Sequence, residues 1–312
     1  MPGPRIGLLA MLGAGCLLLA CGGGTGPTTL ADDPCNAATS WDVARDIPYA
    51  VLAGADQNLL SLDVHRPHAS VTCAARPVLL WVHGGDWRGG DKEEVFESMA
   101  KLATESGYLL VSVNYRLSPL FTDGSTPGVT WPVHGEDVSR AVRWIEQHIA
   151  EYGGDPTHIA LMGFSAGAQI VAVLGAGPGF LQSAGVDVSH IRCIASLEIA
   201  LYDIPAYLAD HPDDIEEFRN IFSADPANWA SASAAVIART SKPLGPFLVV
   251  LRGDVERRSR QQAFVDLLRS KGVPTTLADV GNYAHTDVFF LLGRDTVITP
   301  PVRRFLEQDC RH

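Results

Sequence analysis

The segment Gly163-Phe164-Ser165-Ala166-Gly167 fits the pattern G-x-S-x-G. A serine between small residues, entered from an apolar strand and left into a helix, is forced into a sharp turn that exposes its hydroxyl. Such a hydroxyl suits attack on a carbonyl, provided a base takes its proton and donors meet the developing negative charge. Ile159-Ala160-Leu161-Met162 ahead of the motif and the small-residue run from Ala166 to Leu174 behind it supply that strand and that helix. The start of the helix also turns backbone N–H groups toward negative charge. With 30 glycines in the chain the pentapeptide alone carries little weight, and its flanks make the case. A second glycine-bearing stretch, His83-Gly84-Gly85-Asp86-Trp87, directly follows the apolar run Val78–Val82. Glycines there let backbone approach a reacting carbonyl and offer N–H groups to an oxyanion. His83 reads as a brace for that loop rather than as the base. It has no metal-binding partner motif, because His65-Arg66-Pro67-His68 carries a proline and is not helical.

Nucleophile, base and donors meet only if several strand ends share one edge of a sheet. From about Ile47 the pattern alternates between strands and helices, which predicts a mostly parallel sheet covered on both faces. Two short strands near Ile47–Val51 and Leu59–His65 form an antiparallel hairpin turning at Gly54-Ala55-Asp56. Val78–Val82, Leu109–Val113, Ile159–Met162 and Phe247–Leu251 are near-continuous apolar runs, as doubly covered strands should be. Cys193–Ile199 and Thr275–Val280 complete the set. Val138, Ala141, Val142, Ile145 and Ile149 recur at helical spacing, and Gly153-Gly154-Asp155-Pro156 ends that helix. The stretch from about Tyr202 to Gly245, rich in proline and aromatics, interrupts the rhythm and is expected to form a short helical cap. In an α/β sheet with a serine elbow the chain order is serine, acid, histidine. His190, His211, His285 and His312 follow Ser165. His285 alone falls in a loop after a late strand, where side chains emerge at the carboxyl edge, and is therefore the expected base.

The 312 residues suffice for one large α/β domain, and 46% hydrophobic with 19% charged residues is ordinary globular composition. A net charge of −11 argues against a nucleic-acid partner, which would want a basic patch. Arg5, the apolar stretch from Ile6 to Ala20, and Cys21 have the layout of an export signal that is too short to span a bilayer comfortably. Leu18-Leu19-Ala20-Cys21 resembles a bacterial lipobox, in which the cysteine is lipidated; a plain secretory signal or an uncleaved anchor is the alternative. Residues 1–20 are thus expected to be a lipoprotein signal peptide, 21–40 a flexible tether and 41–312 the catalytic domain. Lipidation at Cys21 would hold the exported protein at the bacterial cell envelope, on the outer membrane or cell surface. Export implies an oxidising compartment, and Cys35, Cys73, Cys193 and Cys310 remain after Cys21. Four cysteines allow three pairings. The hairpin would join Cys35 to Cys73, leaving Cys193 at a strand start and Cys310 at the chain's end; buried free thiols are the alternative.

The motifs together resemble the hormone-sensitive-lipase and arylformamidase branch of the α/β-hydrolases. The resemblance rests on His83–Trp87, Asn114-Tyr115-Arg116-Leu117-Ser118-Pro119, Gly153–Pro156, Gly163–Gly167 and the His285 loop, and covers most of residues 45–310. It implies the α/β-hydrolase fold, an eight-stranded mostly parallel sheet with helices on both faces. It also implies a serine esterase of small or aromatic acyl substrates, working without metal or organic cofactor. The branch also holds amidases that deformylate N-formyl aromatic amines, and a catalytically silent envelope binding module is a reading from another class. By position, the oxyanion donors would be the N–H groups of Gly85, Asp86 and Ala166. Two departures stand out: Asp86 where the glycine motif has a third glycine, and Ala168 where the lipase branch has a second one. For the acid, the loop after Phe247–Leu251 offers Asp254 and Glu256 ahead of a helix expected near Arg260, while Asp266 lies too far inside that helix. In such proteins the acid sits three residues after the glycine, here Gly253, which selects Glu256 with Asp254 as the rival. The expected triad is Ser165, Glu256 and His285.

Overall fold

The computed structural model describes Gly3, Leu30, residues 33–120 and residues 128–311. The signal segment apart from Gly3, Cys21, most of the tether and His312 lie outside the described residues. Eight strands form one sheet in the order β1-β2-β4-β3-β5-β6-β7-β8. They are β1 (Trp41–Pro48), β2 (Ser61–Pro67), β3 (Arg76–Val82), β4 (Leu109–Val113), β5 (Gly154–Phe164), β6 (Ile191–Leu197), β7 (Phe247–Leu251) and β8 (Thr275–Asp279). β2 runs antiparallel to β1 and β4, and every other pairing is parallel.

The apolar runs are doubly covered because alternate side chains point to opposite faces. On β3, Val78, Leu80 and Val82 join the core beneath α2 (Val133–His148) and α3 (Ala166–Ala176). Leu79 and Trp81 face α1 (Glu97–Glu105), α10 (Asp287–Phe290) and α11 (Thr299–Arg304) on the other side. The stripe Val138, Ala141, Val142 and Ile145 on α2 is fully buried, as its spacing requires. Every residue of α3 is buried, which explains a helix made of small and aliphatic residues. α4 (Gly179–Ser183) follows it.

The cap consists of α5 (Ile204–Asp210), α6 (Ile215–Phe222), α7 (Pro226–Ser231) and α8 (Ala234–Thr240). Its Tyr202, Ile204, Leu208, Phe218, Ile221 and Phe222 belong to the same core as α2 and α3, so the cap is part of the one domain. Beyond β7, α9 (Val255–Ser270) covers the far end of the sheet.

Three boundaries differ from the sequence reading. β1 begins at Trp41 rather than near Ile47; it is a half-exposed edge strand, bulged between Ala44 and Ile47, and so lacks a continuous apolar signature. Gly153, at a φ of 86°, ends the turn after α2, but Gly154 to Pro156 already belong to β5. α9 begins at Val255, not near Arg260, because the Asp254 carboxylate caps it by accepting the Arg257 N–H at 2.8 Å. The cysteines pair as Cys35–Cys73 and Cys193–Cys310, with Cα separations of 5.8 and 5.2 Å. The second bridge ties the central strand β6 to the end of the chain.

Candidate active site

β5 and β6 are paired with Phe164 opposite Leu197, so the next residues, Ser165 and Glu198, leave the same sheet edge side by side. Both adopt left-handed backbone, at φ 55° and 65°. A non-glycine residue there costs about 1–3 kcal/mol and persists only where its surroundings over-determine it. For Ser165 they do. Its N–H donates to the Leu197 carbonyl at 3.2 Å, and its carbonyl accepts from Gln169 in α3 at 3.1 Å. The flanking glycines are steric requirements. A Cβ on Gly163 would lie 2.4 Å from the Gly167 carbonyl oxygen, and one on Gly167 would lie 2.1 Å from that of Val82. Ala168, where the resemblance has glycine, is buried in α3 without disturbing the elbow.

His285 enters from the loop after β8. Its Nε2 lies 2.9 Å from Ser165 Oγ, and its Nδ1 is bonded to Glu198 Oε2. An ionised carboxylate only accepts, so Nδ1 carries the proton and Nε2 is left bare to receive the serine's. Phe164 packs against the imidazole with ring centroids 4.8 Å apart. Burial lowers the His285 pKa below its ordinary 6.5, which favours the neutral base.

The residue behind His285 is therefore Glu198 and not the expected Glu256. Capping by Asp254 puts Glu256 in the first turn of α9, where its 58% exposed side chain pairs with Arg260 at 2.9 Å and His211 at 3.2 Å. Asp254 is committed to the cap, and Asp266 accepts from Gln262 within the helix. Glu198 is fully buried. Its Oε1 accepts from Arg257 Nε at 2.6 Å and Gln261 Nε2 at 3.3 Å, and Arg252 Nε stands 3.1 Å away. The missed signal was a lone charge inside the apolar run Ile194–Leu201. A buried unpaired carboxylate is costly, so a glutamate there announces partners. His190 pairs with Glu146 and His211 with Glu256, both away from Ser165.

The glycine loop reaches the serine from β3. A Cβ on Gly84 would sit 3.1 Å from Ser165 Cβ, and one on Gly85, whose φ is 100°, would lie 2.3 Å from the Gly89 carbonyl oxygen. Asp86 and Trp87 continue at φ 55° and 57°. This run of left-handed residues leaves the Gly85 and Asp86 N–H groups with no backbone acceptor among the described residues. Asp86 keeps its carboxylate clear by turning it outward to Arg88 at 3.2 Å, with the side chain 60% exposed. The loop is pinned from several sides. Trp87 Nε1 donates to Gln169 at 3.0 Å, Gln169 donates to the cap's Ala232 carbonyl at 2.6 Å, and Arg88 pairs with Glu217 of α6 at 2.9 Å. His83 is buried, with its pKa lowered to about 4 by desolvation, and stacks on Tyr115 at 4.4 Å. Its Nδ1–H donates to the Gly84 carbonyl at 2.7 Å, so it braces the loop from beneath. The whole arrangement offers an activated hydroxyl, a neutral base with a fixed tautomer, and free N–H groups beside them.

A family model described as BD-FAE matches residues 62–183. Esterase LipQ of Mycobacterium tuberculosis is 30% identical over 273 residues, covering 84% of this chain and 61% of its own length. The probable carboxylic ester hydrolase LipM of the same organism is 32% identical, covering 80% of this chain and 56% of its own length. The chain thus spans about three fifths of the length of these relatives. The hyperthermophilic esterase from the archaeon Pyrobaculum calidifontis superposes with a TM-score of 0.64 at 22% identity, covering 88% of this chain and 87% of that one, a likeness of fold.

Proposed function

We propose that this chain, whose fold is that of the α/β-hydrolases, hydrolyses carboxylic esters by two-step acyl transfer at Ser165. The observation that carries this reading is the linked set Ser165 Oγ, His285 Nε2, His285 Nδ1 and Glu198 at one sheet edge. His285 takes the hydroxyl proton as Oγ attacks the ester carbonyl. The tetrahedral oxyanion is met by the N–H groups of Gly85, Asp86 and Ala166, and the imidazolium by Glu198. Collapse expels the alcohol, which takes the proton from Nε2. Water, deprotonated by the same nitrogen, then releases the acid and frees Ser165.

The test is a turnover panel of acyl esters of graded length and N-formyl arylamines, with Ser165→Ala as control. Ester turnover and fluorophosphonate labelling should both vanish in Ser165→Ala with the fold intact. Labelling that survives would remove Ser165 as nucleophile; selective turnover of the formyl amines would reassign the enzyme as an amidase. A folded wild type that is inert and unlabelled would leave the silent binding module.

We also propose that Cys21 carries a lipid that holds the enzyme at the cell envelope. The basic residue, short apolar stretch and glycine tether support this, and two disulfides fit export to an oxidising compartment.

A further inference from the structure

The loop after β7, where resemblance places the acid, supplies cations instead. Arg252 follows β7 directly and Arg257 lies in the first turns of α9, and both point back at the carboxylate just beyond the end of the neighbouring strand β6. Glu198 Oε1 is the shared target of Arg257 Nε, Gln261 Nε2 and Arg252, whereas Oε2 is left to His285. Gln261 is itself fixed: its Oε1 accepts the Arg252 N–H at 3.0 Å, and its amide also donates to the Ile199 carbonyl at 3.3 Å. Resting on the triad reading above, we infer that Arg257 is a positioning residue of the reaction: it grips one oxygen of Glu198, keeps that buried carboxylate ionised, and aims the other oxygen at His285.

The physics has two sides. A carboxylate with no exposure to water loses its hydration, which favours protonation, and an opposite charge in contact restores the ionised form. The same cation subtracts from the field that Glu198 exerts on the imidazole. Removing Arg257 strengthens that field and also makes the carboxylate easier to protonate. Both effects raise the proton affinity of the His285–Glu198 pair, so its midpoint moves up. The charged and titratable groups around the cluster are Arg252 from β7, Asp254 at the α9 cap, Asp287 from α10 near Arg252, and Tyr202 and Tyr207 near Arg257. Of these, Arg252 alone also reaches Glu198, its Nε 3.1 Å from Oε1 against 2.6 Å for the hydrogen-bonded Arg257 Nε.

The experiment measures kcat/KM against pH for wild type, Arg257→Gln, Arg257→Lys and Glu198→Gln, with active sites counted by fluorophosphonate. Arg257→Gln should lower kcat by about 10–100-fold and move the acid limb up by roughly half a unit or more. A merely structural arginine would lower the yield of active sites while leaving kcat per site and the midpoint in place, and that result overturns the proposal. Should Arg257→Gln fail to fold, Arg257→Lys decides. It retains the charge but not the fixed Nε–H, so it should hold the midpoint and lose about tenfold in kcat per site; an unchanged kcat overturns the grip. Glu198→Gln separates the two levels. Full activity there sinks the triad reading, whereas its loss alongside unaffected arginine variants sinks only the role of Arg257.

Discussion

Glu198→Gln is the perturbation that tests the acid most directly. Each oxygen of Glu198 accepts from a donor: Oε2 from His285 Nδ1, Oε1 from Arg257 and Gln261. An amide has one accepting end. With its oxygen toward His285, its NH2 meets the arginines, donor against donor. Turned round, the NH2 faces Nδ1 and drives the proton to Nε2, where the imidazole can no longer accept from Ser165. Loss of the acid in a triad costs on the order of 10⁴ in kcat, or about 5.4 kcal/mol of transition-state stabilisation. Two arginines already share the charge of Glu198, so the expected fall here is about 10³–10⁴. Removing one partner of a buried ion pair also costs about 3–5 kcal/mol of stability. The arginine side chains are 15% and 29% exposed, so water recovers part of that, and about 1–3 kcal/mol is expected. Steady-state turnover of a p-nitrophenyl ester reads the first quantity, and a melting curve the second. Glu256→Gln is the control. Its own carboxylate is exposed and touches neither Ser165 nor His285, so it should stay within about twofold of wild type. Glu198→Gln within tenfold of wild type, or a hundredfold loss in Glu256→Gln, would refute the assignment.

The lowered pKa of His285 fixes the sign of the acid limb: the base works while neutral, so activity should persist as pH falls past 6.5 and be lost only below it, through the depressed value. A kcat/KM profile whose midpoint lies above 6.5 would contradict the burial argument. Cys21→Ser should abolish acylation and move the protein from membrane to soluble or retained-precursor fractions. Unchanged membrane association with no acyl chain in the mass spectrum would remove the anchor.

The fold was legible because its signals are local. Apolar strand runs, the 3.6-residue stripe on α2 and the glycines around Ser165 each express a constraint carried by adjacent residues. Ser165 and His285 were legible for the same reason, one by its elbow and the other by its place in a loop after a late strand. The hairpin likewise brought Cys35 to Cys73. The start of edge strand β1 escaped because one-sided, bulged strands carry little periodicity. The acid could not be read locally at all. Asp254, Glu256 and Glu198 are equally able carboxylates, and chain order admits all three between Ser165 and His285. Capping took Asp254, the start of α9 turned Glu256 to solvent, and the pairing of Phe164 with Leu197 set Glu198 beside Ser165. Sequence alone determined the scaffold and singled out Ser165 and His285, the proposed nucleophile and base, which the fold sets 2.9 Å apart. The carboxylate was decided by which strand end lies next to the serine, a matter of inter-strand register that depends on residues far apart in the chain.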